Sequence, residues 1–183
     1  MFGWGKDKAI AAAAHDFVVE IVSRADIGYR VFLQDVLQTL VDSGLNSDTG
    51  IGDFVKDDRT KWHYVIGVFS VGLMAPSNLL AKPNARKFTD YAIDDFCKAN
   101  RGPIPSQKIS RDVRMLLRHC IVNPMNSRVA VLFYMLDNSG LNVNPVKEKI
   151  LASPIRMLSI EATIMSDGCA GAAKNVIEAH NLR

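Results

Sequence analysis

The sequence predicts an all-α protein, a single globular bundle of about seven or eight helices spanning residues 1–183. Apolar residues recur three and four positions apart over most of the chain, which is the spacing of one helix face. Clusters of glycine, proline and asparagine separate these stretches, as expected at helix ends. With 183 residues, 48% of them hydrophobic and 22% charged, the composition is that of an ordinary domain with a substantial core.

The N-terminal quarter predicts two helices. The first covers residues 6–24 and carries an apolar stripe around Phe17 and Ile21. Asp26 is expected to cap the second, because an aspartate side chain accepts hydrogen bonds from the free N–H groups at a helix start. The second helix is expected to end at Gly44, with the following leucine packed back on its last turn. A polar loop over 46–53 follows.

The middle of the chain predicts a buried segment and then an amphipathic helix. Residues 64–75 are mostly apolar but too few to cross a bilayer, so they are expected in the core. Asn84 is expected to cap the next helix, which carries Phe88 and Phe96 on its core side. Two prolines and a glycine within 101–105 end it. Its other face predicts ion pairs between charges four apart: Arg86, Asp90, Asp94 and Lys98.

The second half predicts at least three more helical segments. The first, 106–121, is the most clearly two-faced. Residues 129–136 are eight consecutive apolar residues, which fit a buried helix or a buried strand; the Asp-Asn-Ser-Gly sequence behind them favours a helix. A final helical region is expected from about Pro145 to the end, interrupted at Pro154 and at residues 167–168.

A short internal sequence repeat suggests a duplicated helical unit. Ser-Gly-Leu-Asn occurs at 43–46 and again at 139–142, 96 residues later, each time behind a strongly apolar helix. The two halves, 1–100 and 106–183, would be joined by the proline-rich link at 101–105. The simpler interpretation is that Gly-Leu is a good helix stop used twice.

The helix predicted at 106–121 offers the candidate binding residues. Wound at about 100° per residue, it places an apolar stripe from Ile109 to Cys120 on one side. Three arginines fall on the opposite side. We take these arginines and three neighbouring cations as the candidate binding set: Arg111, Arg114, Arg118, Lys108, Arg101 and Lys98.

Charge is unevenly distributed along the chain. Residues 98–128 hold seven basic residues and one acid, Asp112, a net charge of +6. Because the whole chain carries +3, the remainder carries −3, and much of it lies in 42–58. The molecule is therefore expected to have a basic end and an acidic end.

Motifs for catalysis and for cofactors are missing from the sequence. The four histidines are scattered, and the three cysteines form no CxxC pair, so we predict no metal site and no cofactor. A calcium loop starting at Asn46 would have Ile51 where glycine is needed and Asp57 in place of the bidentate glutamate. Ser70 stands one residue out of register with a G-x-S-x-G elbow. No catalytic residue is assigned.

Three interpretations of the arginine face stay open: a solvated surface, an interface for an acidic protein partner or for another copy of the chain, and contact with nucleic-acid phosphates. The leading function is a non-enzymatic, cytoplasmic interaction protein, such as an adaptor, accessory or regulatory factor, that binds an acidic protein partner without inserting in a membrane. The alternative is a helical protein that contacts nucleic-acid phosphates through the same arginines. The third is a helical enzyme or small-ligand carrier.

Overall fold

The computed structural model describes residues 3–44, 51–100, 102–123, 127–141 and 170–182, together with 144, 148 and 152. Eight α-helices cover most of these residues, and no strand occurs among them. The helices are α1 (Gly3–Asp42), α2 (Ile51–Lys56), α3 (Asp58–Gly72), α4 (Met74–Leu79), α5 (Lys82–Ala99), α6 (Ser106–Val122), α7 (Ser127–Asn138) and α8 (Ala170–Ala179). The predicted all-α fold is confirmed, and α2 begins inside the loop predicted at 46–53.

Helix α3 forms the centre of the bundle. Every residue from His63 to Gly72 is buried, and the helix packs against α1, α6 and α7. The Phe69 ring stacks on Phe96 of α5 with centroids 4.3 Å apart, and Tyr64 lies as close to Phe32 of α1. The prediction of a buried core segment at 64–75 is confirmed. None of the helices in the described ranges is long and apolar enough to cross a membrane.

Helices α3 and α7 approach each other closely at a glycine. A Cβ atom on Gly67 would lie 2.3 Å from Cγ1 of Val131, well inside van der Waals contact. Residues 129–136 belong to α7, so the helical interpretation of this apolar run is confirmed. Leu136 is fully buried as expected, whereas Phe133 lies at the edge of the core and is only partly buried.

Two predicted helix caps are wrong. Helix α1 continues without a break from residue 3 to 42, because Ala25 and Tyr29 extend its buried stripe through the expected boundary. Asp26 lies on this continuous helix and forms an ion pair with Lys61 of α3. Helix α5 begins before Asn84, with Ala81 as its N-cap residue and a proline in its first turn, where proline is tolerated.

The end of α5 and the start of α6 are joined by a compact turn. The Asn100 side chain donates to the backbone oxygen of Ile104 and accepts from the Gly102 N–H, both at 2.9 Å. Gly102 lies against the Trp62 indole, where a Cβ would come within 2.1 Å of Nε1. These contacts turn the chain so that α6 returns antiparallel to α5.

Helices α1 and α7 end in the same way. Gly44 and Gly140 adopt positive φ angles of 100° and 77°, which glycine accommodates without steric cost. The last helical residues, Asp42 and Asn138, are separated by the same 96 positions as the sequence repeat. The duplication itself stays a prediction.

Leu45 and most of the region from 145 to 169 lie outside the described residues. Helix α8 covers the last part of the predicted C-terminal helical region.

Candidate binding surface

Helix α6 divides into a buried and an exposed face, as its sequence predicts. The buried side chains are Ile109, Val113, Leu116, Leu117 and Cys120. Burial raises the pKa of the Cys120 thiol to about 11, so this cysteine is a protonated core residue. Arg111, Arg114 and Arg118 are all exposed. Arg111 donates to the neighbouring Asp112 at 3.3 Å, and Arg118 has no ion-pair partner in the part of the chain that the structure describes.

Large apolar side chains are exposed beside the arginines of α6. Met115, Ile121 and Val122 keep 54%, 51% and 68% of their surface in contact with solvent. Sequence reasoning missed them, although Met115, Arg118 and Val122 are spaced i, i+3 and i+7 and so share one side of a helix. The exposed face of α6 is therefore both basic and apolar.

A groove runs between α5 and α6 beside this face. It consists of two adjoining cavities of about 290 Å³ and 350 Å³ that share Thr89, Arg114, Leu117 and Ile121 in their linings. The larger cavity extends to Ser77 of α4. We call it the α5–α6 groove. A shallower depression of about 530 Å³ follows the outer side of α6, from Arg114 to Asn123.

The groove has more positive than negative charge. Lys82 and Arg86 project from the first turns of α5, and Arg114 and Arg118 from α6. Asp90 is the one carboxylate among the described lining residues of the two cavities, and its Oδ1 accepts a hydrogen bond from Arg114 at 2.9 Å. Local i,i+4 pairing was expected for Arg86 and Asp90; instead Asp90 pairs across the groove with α6.

The remaining predicted binding residues lie elsewhere. Lys98 is exposed near the end of α5, where Cys97 contacts the backbone of Ser106, so it is at the opposite end of the helix pair from Arg118. Lys108 is half-buried and turns toward α7, where its Nζ donates to Oδ1 of Asn138 at 3.0 Å. Arg101 lies outside the described residues. The structure thus brings together Arg114 and Arg118, and adds Lys82 and Arg86, which are about thirty positions away in sequence.

Asp112 is the centre of a buried polar cluster on the other side of α6. Its carboxylate accepts hydrogen bonds from Lys108 and from the Tyr134 hydroxyl, the latter at 2.9 Å. Burial alone would raise the pKa of Asp112, but the hydrogen bonds from Lys108 and Tyr134 outweigh burial and hold it below its ordinary value. Burial and the Asp112 carboxylate raise the pKa of Tyr134. A charged side chain among apolar residues of α6 was not anticipated from the sequence.

His63 is buried beside this cluster, and neither of its ring nitrogens has a hydrogen-bond partner among the residues that the structure describes. Its ring meets the Tyr134 ring edge-on, with centroids 5.6 Å apart. Burial and the Lys108 charge lower the pKa of His63 to about 4, so the imidazole is neutral at neutral pH. Thr60, one turn earlier on α3, also has a buried hydroxyl that finds no partner in the described part of the chain.

Across the residues described, no group of three or more histidine, cysteine, aspartate or glutamate side chains is arranged to hold a metal ion. Comparison of the chain with protein-family models, with curated proteins and with solved structures finds no match.

Proposed function

We propose that this chain is a non-enzymatic interaction protein that binds an acidic protein partner through the exposed face of α6. The observation that carries the proposal is the exposure of Met115, Ile121 and Val122 next to Arg114 and Arg118. Methionine and arginine are enriched in protein–protein interfaces, where apolar contacts supply affinity and charges supply orientation. Exposing three large apolar side chains on one helix face is otherwise unfavourable.

The exposed apolar side chains of this face favour a protein partner over a nucleic acid. Phosphate groups would use the arginines and lysines but would leave the apolar side chains in water. An acidic protein segment would use both. Another copy of the chain is one form of such a partner, because the sequence at 42–58 carries the complementary negative charge. The odd number of cysteines and the lack of a CxxC pair in the sequence favour a reducing compartment and hence the cytoplasm as the location.

A triple charge reversal tests the proposal. Arg111, Arg114 and Arg118 are replaced by glutamate, and the variant is compared with a control that reverses three exposed cations elsewhere: Lys6, Arg30 and Lys174. Both variants change the net charge equally, so a general charge effect cancels. Partners captured from the native host are quantified for the wild type and both variants, and light scattering reports self-association.

The expected result is loss of the captured partner, or of the self-associated form, in the α6 variant alone. If both variants capture as much partner as the wild type, the exposed face of α6 is only a solvated surface. Titration with a DNA duplex between 50 and 200 mM salt separates the alternative, because releasing counterions from three phosphate contacts changes the log–log slope by about 2–3. If the wild type binds the duplex with nanomolar affinity and the α6 variant changes the slope by that amount, nucleic acid is the partner and the proposal of a protein partner is wrong.

A further inference from the structure

We infer that the partner binds in the α5–α6 groove through a short amphipathic helix with carboxylates on both sides of an apolar stripe. Lys82 and Arg86 then belong to the same binding site as Arg114 and Arg118. This inference rests on the proposed function and specifies the partner's chemistry.

The groove combines an apolar floor with two cationic rims. Leu117 and Ile121 line both cavities of the groove, with Thr89 facing them from α5. Lys82 and Arg86 stand on the α5 side, and the arginines stand on the α6 side. A complementary ligand therefore buries apolar side chains at its centre and places negative charges along both edges.

Asp90 shows which group the α6 rim accepts. Its carboxylate binds the Arg114 guanidinium at 2.9 Å inside the groove, and about half of each side chain remains exposed. A carboxylate from a partner can take the same place on Arg114, because an exposed ion pair of this kind is weak. The exposed guanidinium of Arg118, which forms no ion pair within the described ranges, lies one turn further along α6 and offers a second position.

A helix fits this arrangement better than an extended strand. Side chains of a strand alternate between opposite faces, so carboxylates next to apolar residues would point away from the groove. In a helix, positions about 100° to either side of the apolar stripe reach both rims. The distance from Arg114 to Val122 along α6 is about 12 Å at 1.5 Å per residue, which corresponds to about two helical turns of ligand.

The concave shape and the floor argue against two other polyanions. A flat bilayer surface would contact the protruding Met115 and Val122 but would not reach Leu117, which is buried at the base of the groove. A duplex offers phosphates on both edges but no apolar group for Leu117 and Ile121. The partner that uses every feature of the groove is a peptide segment.

The probe for the test is a fluorescein-labelled 14-residue helical peptide with leucines at i, i+3, i+4 and i+7 and glutamates on both flanks. One control peptide replaces the glutamates by glutamine, and a second replaces the leucines by serine. Fluorescence anisotropy with the full chain measures affinity, and amide chemical-shift changes in the 20.2 kDa protein locate the site. Vesicles of phosphatidylserine and phosphatidylcholine and a 15-base-pair DNA duplex are titrated in parallel.

We expect the acidic amphipathic peptide to bind at least tenfold more tightly than either control peptide, with shifts at Thr89, Leu117 and Ile121. The double variant Lys82→Glu/Arg86→Glu should weaken binding tenfold or more, whereas Lys6→Glu/Lys174→Glu should not change it. All four positions are exposed, so neither double variant should unfold the protein. The thermal unfolding transition of each variant checks this. Equal binding of the three peptides, shifts outside the groove, or tighter binding of vesicles or duplex would overturn the inference.

The groove and the broader function fail in different ways. If Arg114→Glu/Arg118→Glu abolishes capture of the native partner but Lys82→Glu/Arg86→Glu leaves both capture and peptide binding intact, the groove inference is wrong and the α6 interface stands. If neither double variant affects capture, the interface is wrong as well. Loss of both peptide binding and capture in both double variants, with the control unchanged, supports the groove.

Discussion

The Tyr134 hydroxyl donates a hydrogen bond to Oδ2 of Asp112 at 2.9 Å, and this bond ties α7 to α6 inside the bundle. Asp112 is buried, and Lys108 supplies the compensating positive charge from the preceding turn. A carboxylate removed from water is tolerated only when its oxygens are satisfied, so the three side chains act as one unit. Removing Asp112 takes the shared acceptor from both donors, whereas removing Tyr134 leaves Lys108 paired with Asp112.

This unit predicts unequal costs for two substitutions. Tyr134→Phe deletes one donor and should lower the free energy of unfolding by about 1–2 kcal/mol. Asp112→Ala leaves the buried Tyr134 hydroxyl without its acceptor and leaves Lys108 with only Asn138, so it should cost more, about 2–3 kcal/mol. Urea unfolding followed by circular dichroism measures both, with Asp94→Ala on the exposed side of α5 as the control. A loss below about 0.5 kcal/mol for Asp112→Ala would show that the buried carboxylate is not needed for stability.

His63 predicts a loss of stability in mild acid. Its pKa is about 4 in the folded protein and 6.5 when unperturbed, so the unfolded chain takes up the proton first. Stability is therefore complete above pH 6.5 and falls as the pH drops toward 4, by about 3 kcal/mol in total if no other group compensates. Lys108 and Arg59 oppose protonation, whereas Asp112 and Asp57 favour it.

The variant His63→Phe separates this effect from other acid-sensitive groups. Phenylalanine keeps a ring against Tyr134 and removes both unsatisfied nitrogens, so stability at pH 7 should stay within about 1 kcal/mol of the wild type or rise. Its unfolding free energy between pH 6.5 and 4 should decline less steeply than that of the wild type. Asp112 has a lowered pKa and contributes stability that is lost only at still lower pH, below its unfolded value of about 4. Parallel pH profiles for the two proteins would contradict the assignment to His63.

The helical fold was predictable because periodicity and helix stops are local properties of the sequence. The positive φ of Gly44 and of Gly140, the burial of 64–75 and the two faces of α6 all follow from such patterns. The error at Asp26 has a tertiary cause: an aspartate that could cap a helix instead pairs with Lys61 on another helix. The capping preference of an aspartate reflects only its neighbours in sequence, so it could not indicate the ion pair with Lys61.

The candidate site was predictable only in part for the same reason. Arg114 and Arg118 lie on one helix, so their common face follows from spacing. Lys82 and Arg86 reach the same groove only because α5 and α6 pack antiparallel, a relationship that no short-range pattern encodes. Lys108 is near the arginines in sequence, but the buried carboxylate of Asp112 draws it to the other side of the helix.

The close approach of α3 and α7 predicts a strong effect of one methyl group. Gly67→Ala would place Cβ 2.3 Å from Val131, a stiff β-branched side chain that cannot rotate away easily. The expected cost is about 1–3 kcal/mol, the usual range for overpacking a core. Gly5→Ala on α1 is the control, because nothing lies within 4 Å of its Cβ and alanine favours the helix by up to about 1 kcal/mol.

A double variant shows whether the contact itself causes the loss. Val131→Ala makes room, so Gly67→Ala/Val131→Ala should be more stable than the sum of the two single changes predicts. Thermal or urea unfolding of the four proteins completes the cycle. Strict additivity would mean that Gly67 is required for a reason other than its distance from Val131.

The Asp90–Arg114 pair makes the last prediction, which concerns binding. If a partner carboxylate competes with Asp90 for the Arg114 guanidinium, Asp90→Asn should raise affinity for an acidic amphipathic peptide by about two- to fivefold, the equivalent of roughly 0.5–1 kcal/mol for an exposed ion pair. Stability should change by less than about 1 kcal/mol, since both side chains are about half exposed.

Asp94→Asn is the matched control, because it removes the same charge one turn along α5 and Asp94 does not line the groove. Anisotropy at low and at physiological salt distinguishes direct competition from a general gain in positive charge: competition raises affinity for Asp90→Asn alone, whereas a general effect appears equally in both variants and vanishes as salt screens it. Equal affinities for Asp90→Asn and the wild type would show that Arg114 does not contact the ligand's carboxylates.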